Sequence, residues 1–465
     1  MASLDRFANF GFGGDDTGSL WADPLVVSDH KQGYTPGLAL EWGPSDDFLT
    51  WTFTLREDVA FTTGNPFTSA DVKATFDRLI TDDKLVDAKF WAPYVETQTP
   101  DERTAVVVLN SVMPTFLDEL GRVPIIDSVA FAEDPDGYFL KPSGTGAFAV
   151  DTFDAQTGNS TFTKNDGWWG WTDDNATNVS EIDYQFIAED STRASALQAG
   201  TADVATQISA ETAETIKASN FTAEVVPFDR TFYVSYHYTD GSPFADPALR
   251  EAFSLSIDRS SLVDGILAGY GKVATWPTPA GTLGYQEGEY AYDPDRAAEL
   301  VADSDYDGSE IRMILPVAGF PRGNEISQAI QSMAAEAGFN VKVETLEQAT
   351  FTDRRAAGDY EINLSSSGLT AGDPQNFVSS ILADDVFATG YGDPEIQQLA
   401  DSTKTIGDTD ERSSVMTQVL QLEMDEFGPF VGLYDPVSIY GLAPGIEDLT
   451  IYADGSAEYK FASKK

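Results

Sequence analysis

The chain has 465 residues, 42% of them hydrophobic and 12% aromatic, enough material for two or three domains with large cores. It sets 28 Lys+Arg against 76 Asp+Glu, a formal charge of −48, and such a field excludes a nucleic-acid phosphate backbone as a partner. With no cysteine it has no disulfide, thiolate nucleophile or cysteine–zinc site, and no apolar run reaches the roughly 18 residues of a membrane helix.

The acids are spread along the whole chain, whereas a disordered acidic tail would concentrate them in blocks. At roughly 1 M salt the Debye length falls to about 3 Å, and their mutual repulsion is screened. The charge therefore reads as adaptation to a salt-saturated cell, and a haloarchaeal source is expected. Calcium binding is the competing reading, but no Asp-x-Asp-x-Asp-Gly loop is present. Asn159, Asn175, Asn178, Asn220 and Asn363 each open an Asn-x-Ser/Thr sequon, which mildly favours export. Met1-Ala2-Ser3 leads neither a charged n-region nor an apolar h-region. A signal peptide and a lipid-bearing cysteine are therefore expected to be absent from this sequence.

In chain order, the glycine-rich loop Gly11-Phe12-Gly13-Gly14 precedes the strand-like Leu25-Val26-Val27. Trp51, Phe53 and Leu55 alternate with Thr52, Thr54 and Arg56, the period of a half-buried strand. A turn at Thr63-Gly64-Asn65-Pro66 follows. Thr68-Ser69-Ala70-Asp71 then has the form of a capping box, opening a helix with Val72, Phe76 and Leu79 on one face. Val106–Leu109 and Ile182–Phe186 read as strands, and a helix capped by Ser191 closes near Gly200. Phe232, Val234, Tyr236 and Tyr238 alternate along another strand. Strand Ile311–Val317, helix Glu325–Glu336 ending at Gly338, and strand Val341–Leu346 compose a βαβ unit. Helix Thr350–Ala357, strand Glu361–Leu364 and helix Asp410–Glu426 follow, and a hairpin is expected around Asp454-Gly455.

The order of residues from Pro36 onward says more than these elements do. Pro36-Gly37-Leu38-Ala39 with Trp42, Trp51-Thr52-Phe53-Thr54-Leu55-Arg56, Phe61 through Phe67 and Ala70-Asp71-Val72 resembles the signature of the family 5 extracellular solute-binding proteins. These feed peptide and nickel ABC importers. Pro142 to Phe148 resembles the family's Gly-Thr-Gly segment, and Asn165-Asp166-Gly167-Trp168-Trp169 its Asn-x-x-Tyr-Trp motif. Arg193, Ala196, Gly200 and Asp203 match a helix pattern, and Pro243–Phe253 matches the crossover into the second lobe. The likeness covers nearly the whole chain.

This resemblance implies an α/β, two-lobed, periplasmic-binding-protein type II fold of the large dipeptide/oligopeptide-binding class. The first lobe would be discontinuous (1–24, 143–240 and 429–465), with an extra subdomain (25–142), and the second lobe would span 241–428. Crossovers would lie near 238–248 and 427–433. It also implies a protein that does no chemistry and takes no cofactor. Such a protein works as a monomer, closes an interlobe cleft on a solute, and hands it to a membrane ABC permease from an extracellular, lipid-anchored position. A secreted hydrolase and a structural cell-surface protein are the rival classes.

No P-loop, His-Glu-x-x-His or Gly-x-Ser-x-Gly motif is present, and paired carboxylates carry no information among 76 acids. His30 and His237 read as surface or strand-packing residues, and the cluster Trp168, Trp169 and Trp171 reads as core ahead of ligand stacking. The resemblance places ligand contacts at Phe12, at Trp276 and in the loop Gly368–Pro374, hence Thr370 and Asp373. Asp373 itself reads first as an N-cap for the next helix, ahead of ligand contact. Arg122 and Arg322 are candidates to grip a carboxylate through a bidentate fork, with surface ion pairs as the plain alternative. The nickel relatives' ligating positions fall here on Gly368, Gly372 and approximately Val386, so no protein-held metal is expected. The Asp that peptide-binding relatives use for the peptide ammonium is Thr370 here. A peptide ranks first as ligand, ahead of an oligosaccharide or a nickel chelate.

The charge yields a direct test. Folded structure is expected to be lost as salt drops well below about 1 M, because screening holds the self-repulsion down. Far-UV circular dichroism across a salt titration reads this out. A melting temperature unchanged down to tens of millimolar salt would show that the acidity serves another purpose.

Overall fold

A computed structural model describes residues 3–8, 15–29, 33–82, 85, 91–172, 175, 177–238, 241–317, 320–369, 372–383 and 389–465. The chain divides into two compact units, 1–224 with 439–465, and 225–438.

In the first unit, strands β1 (Ala39–Pro44), β2 (Thr50–Leu55), β3 (Tyr94–Asp101) and β4 (Thr104–Leu109) form an antiparallel sheet in the order β1-β2-β4-β3. Trp51, Phe53 and Leu55 are buried while Thr52 and Thr54 are exposed, as their alternation predicts. Helix α1 (Ser69–Thr81) starts at the expected capping box. Its buried Val72, Phe76 and Leu79 join the same core. Trp91 is core too, its ring 5.2 Å from Phe76 and 6.2 Å from Phe116.

A second antiparallel sheet, β5 (Phe148–Phe153), β6 (Ser160–Lys164) and β7 (Glu181–Tyr184), belongs to the same unit. The Gly-Thr-Gly motif ahead of it exists for close approach. A Cβ on Gly144 would stand 1.8 Å from the Trp21 carbonyl oxygen, and one on Gly146 2.4 Å from that of Leu20. The tryptophan cluster is structural, as the sequence suggests. The Trp168 and Trp169 indoles donate to the Asp23 carboxyl at 3.0 and 2.8 Å, and the Thr145 hydroxyl donates at 3.1 Å. Burial pushes Asp23 above the usual carboxylate range, against Lys460 and these three donors. Arg193 of the helix pattern is scaffold as well. Its guanidinium donates to the carbonyls of Thr206, Ile187, Ala188 and Gln207 at 2.7–2.9 Å. Two further strands, β8 (Val204–Ala205) and β9 (Thr222–Pro227), lead to the second unit.

The second unit is built on a mixed six-stranded sheet. Its strands are β10 (Arg230–Tyr236), β11 (Lys272–Val273), β12 (Ile311–Pro316), β13 (Val341–Leu346), β14 (Ile362–Gly368) and β15 (Phe430–Asp435), ordered β11-β15-β10-β14-β12-β13. The βαβ unit is present: β12 and β13 are parallel around helix α2 (Gly323–Glu336), which ends at Gly338 with φ +103°. Phe232, Val234 and Tyr236 of β10 bury into one core, and Tyr233 into the core on the other face. Helices α3 (Gln348–Ala356) and α4 (Thr409–Asp425) also lie close to their expected bounds. Strand β14 runs four residues beyond the expected Leu364, because the serines at 365–367 keep pairing with β10. The last strand, β16 (Val437–Leu442), pairs with β8, and the tail hairpin pairs Thr450–Ile451 with Ala457–Glu458.

The sequence places the unit boundaries at 240/241 and 428/429, whereas the compact units separate at 224/225 and 438/439. The reason is sheet membership. β10 and β15 pair with each other inside the second sheet, so both go with the second unit. The Pro243–Phe253 motif lies wholly within that unit. It forms a 3-10 turn capped by Ser242 and a helix capped by Asp246.

Glu423 on α4 is fully buried. Its Oε1 accepts the Phe430 N–H at 3.2 Å, while Oε2 has no hydrogen-bond partner among the described residues. Burial pushes this carboxyl well above its ordinary range, against the Phe430 N–H and Arg250. Below the unfolded value of about 4.3 the group is neutral in both states and contributes no pH dependence. As pH rises through and above that value, the unfolded chain ionises first and folded stability falls, by about 1.4 kcal/mol per unit of upshift. Glu423→Gln is therefore expected to flatten the decline between pH 5 and 8 in urea-unfolding experiments at fixed salt. Parallel pH profiles for variant and parent would contradict this.

Candidate functional site

The pairing of the second sheet dictates what meets at its ends. β12 is parallel to β13 and β14, β10 is antiparallel to β14 and β15, and β11 is antiparallel to β15. The carboxyl ends of β12, β13, β14 and β15 therefore share one edge with the amino ends of β10 and β11. In open α/β sheets, ligands bind outside the carboxyl ends of the strands. The register matches Arg230 with Gly368 and Lys272 with Asp435 across this edge. The loop that the sequence singles out, Gly368–Pro374, leaves β14 here.

That loop is tied down at its far end. Asp373 and Arg412 are both buried, 5% and 3% exposed, and the Arg412 Nη2 donates to Asp373 Oδ2. Asp373 Oδ1 accepts the Gln375 N–H at 2.8 Å, closing a turn just ahead of the short helix Gln375–Val378, whose N-cap is Pro374 and not the Asp373 that the sequence suggests. Gln375 Nε2 donates in turn to Thr403 Oγ1 at 3.0 Å and to Ser379 Oγ at 2.8 Å. Gly372, at φ +79°, accepts the Leu283 N–H at 2.9 Å. Asp373 thus holds the loop through Arg412, a partner 39 residues away that no local pattern announces.

The other singled-out residues separate. Arg322 stands just beyond β12 at the same edge. It is a left-handed residue (φ +57°) whose Nε donates to Glu325 Oε1 at 2.7 Å, with the side chain 54% exposed. Trp276 is 1% exposed and packs in the core with Tyr233, Phe377 and Phe430. Its indole N–H has no hydrogen-bond partner among the described residues. Arg122 belongs to the first unit and is partly buried. Phe12, Thr370, His30 and Val386 lie outside the described residues. His237 packs its ring 5.5 Å from Tyr360.

Sequence reasoning missed two charged residues at this edge. Arg230 lays its guanidinium over the Phe228 ring at 5.3 Å and donates from Nη1 to Ser366 Oγ at 3.0 Å. Burial lowers its pKa, against an opposing pull from Tyr233. Glycine at 368 leaves it room, since a Cβ there would stand 3.1 Å from Arg230 Nη2. Asp435, at the end of β15, is partly buried and accepts the Thr231 hydroxyl at 2.6 Å. Burial pushes its carboxyl up to about 6, against the Thr231 hydrogen bond and Lys272. The only sequence sign of Asp435 is a charged residue closing an otherwise apolar strand.

Arg412→Met would leave Asp373 buried without its cation, a loss of about 3–5 kcal/mol of stability. Adding Asp373→Asn should recover part of it, because the stranded charge is then gone. Urea denaturation of the single and double variants measures the coupling. A double variant no more stable than Arg412→Met alone would contradict the assignment.

The family model described as "Bacterial extracellular solute-binding proteins, family 5 Middle" matches residues 33–388. A relative from Escherichia coli, named probable D,D-dipeptide-binding periplasmic protein DdpA, is 27% identical over 84% of this chain and 77% of its own length. Heme-binding protein A of Haemophilus influenzae is 24% identical over 90% of this chain and 82% of its own. Among solved structures, the periplasmic binding protein DppA of Helicobacter pylori, in complex with the peptide STSA, superposes with a TM-score of 0.75. It is 22% identical, over 99% of this chain and 94% of that one. The chain therefore belongs to the family 5 extracellular solute-binding proteins and has their two-lobed α/β type II fold.

Proposed function

We propose that this solute-binding protein captures peptides outside the cell and delivers them to a membrane ABC permease, without turning them over. The observation that carries the peptide reading is the charge at the carboxyl edge of the second sheet. Asp435 stands there with Arg230, Lys272 and Arg322, so both signs are available to a zwitterion. The peptide named in one related structure and the dipeptide named for one relative point the same way. In this reading Arg322 and the segment around Thr370 contact the ligand, while Asp373 acts indirectly by fixing the loop. Trp276 is buried in the core against which Leu369, at the start of the loop, packs. Phe12 and Arg122 are contacts motivated by the family resemblance alone. The sheet of β1–β4, with its own core, suits an extra subdomain over 25–142. A monomer tethered by a lipid anchor completes the proposal.

Calorimetry in high salt tests it, with a mixed pool of di- and tripeptides, nickel–histidine and short oligosaccharides as separate titrants. Saturable heat from the peptide pool is expected. Tight nickel–histidine or oligosaccharide binding with no peptide response would overturn the reading.

A further inference from the structure

Asn-x-Ser/Thr sequons stand at Asn159, Asn175, Asn178, Asn220 and Asn363, and the proposed function uses none of them. An N-glycan is joined to the asparagine side chain, and the hydroxyl two residues on belongs to the recognised signal, so both groups must be reachable from solvent. In the folded protein four of the sequons fail that condition. Asn363 lies on the interior strand β14 and is 0% exposed, its Nδ2 donating to Ser235 Oγ at 3.2 Å. Asn178 Nδ2 donates to the Lys464 carbonyl at 2.9 Å, and its Oδ1 accepts the Lys464 N–H at 3.1 Å. Asn175 Nδ2 donates to the Gly170 carbonyl at 2.9 Å, and the matching Thr177 is buried with its hydroxyl on the Ala462 carbonyl. Asn159 is exposed, but its matching Thr161 lies on β6, the central strand of its sheet and paired on both sides. The Thr161 hydroxyl is bonded to that of Thr152 at 2.6 Å.

We propose that Asn220 is an N-glycosylation site of the exported protein, the sequon that the fold leaves open. Asn220 follows the helix Ala210–Lys217 and is exposed, at a left-handed φ of +69°. Its backbone N–H donates to the Lys217 carbonyl and the Phe221 N–H to that of Ile216, which fixes the turn. Its side-chain amide has no hydrogen-bond partner among the described residues. Thr222, two residues on, is exposed as well and opens β9, an edge strand in the order β8-β16-β9. Its hydroxyl likewise has no partner among the described residues. Asparagine is at home in the left-handed region at a helix end, so the residue also serves the turn. That service needs only the backbone angle and leaves the amide unoccupied.

The sugar donor is a lipid-linked oligosaccharide phosphate, and the catalyst a membrane oligosaccharyltransferase. Asn220 Nδ2 attacks the anomeric carbon and the C–N bond forms. The C–O bond to the lipid phosphate breaks, the phosphate leaves with the bonding pair, and one amide proton passes to a base of the transferase. Residues 217–220 are all exposed, so a bulky polar group is accepted there without displacing packed side chains. The inference is independent of which ligand the protein binds. It needs only that the chain is exported, as the extracellular proteins of its family are.

Trypsin separates the sequons, because it cuts after Arg122, Lys164, Arg193, Lys217, Arg230, Arg355 and Lys404. Asn220 then lies on peptide 218–230, Asn159 on 123–164, Asn175 and Asn178 on 165–193, and Asn363 on 356–404. The full chain, recovered from the surface fraction of the cells that make it, is digested and mapped by mass spectrometry. Glycan mass is expected on 218–230 and on none of the other three peptides. Asn220→Gly keeps the left-handed turn and removes the acceptor nitrogen, and Thr222→Ala removes only the hydroxyl. Each is expected to abolish the modification, whereas Thr222→Ser should retain it. A surface protein with bare 218–230 overturns the inference, as does added mass on that peptide that survives Asn220→Gly. Glycan on any other peptide overturns the assignment of Asn220 as the sequon the fold leaves open. A chain found only in the cytosol overturns the extracellular reading itself, and this inference with it.

Discussion

The register between β10 and β14 is the constraint on which the site depends. Phe232 opposite Ser366 and Val234 opposite Leu364 put the large apolar residues of β10 into one core and Tyr233 into the other. A slip of one residue would turn every one of them to the opposite face. The same register brings Arg230 against Gly368 and fixes where the loop begins. β15 then joins β10 on its other side with an irregularity between Phe232 and Tyr233. That shift lets Tyr434 stack on Phe232, with ring centroids 4.8 Å apart, and still brings Asp435 to Thr231. Core packing and the placement of the charged groups at the sheet's edge are thus set by one alignment.

Charge is used differently outside and inside. The −48 surface is a diffuse, salt-screened property, whereas the few buried cations have specific structural tasks. Arg78 meets Asp5 within the first unit. Arg412 meets Asp373 at the far end of the loop. Arg250 and Arg259 donate to backbone carbonyls, including Phe427 and Gly432, on either side of the start of β15. A buried ion pair contributes little net stability against a well-packed apolar substitute. Its value here is placement, because each pair ties a loop or strand end that apolar contact would leave less defined.

Local pattern made much of this legible. The alternation of Trp51, Phe53 and Leu55, the Thr68–Asp71 capping box and the βαβ unit around α2 follow from short-range periodicity and capping. The family likeness supplied the two-lobed fold. Sheet order was not legible, so β10 and β15 were split from the unit they build. Asp373 read as the N-cap of the next helix, but that place is taken by Pro374, and Arg412 was invisible because a pair 39 residues apart leaves no spacing to detect. Asp435 and Glu423 were unremarkable among 76 acids. What distinguishes them is desolvation, which depends on the packed environment and not on neighbours in sequence.

The central claim is that ligand is held at the carboxyl edge of the second sheet. Hydrogen–deuterium exchange in high salt, with and without a saturating dipeptide pool, tests it most directly. The account predicts slowed exchange at 316–322, 366–375 and 433–437, with little change in the four-stranded sheet of β1–β4. Bound peptide that leaves those three segments unaltered, with protection elsewhere, would contradict it.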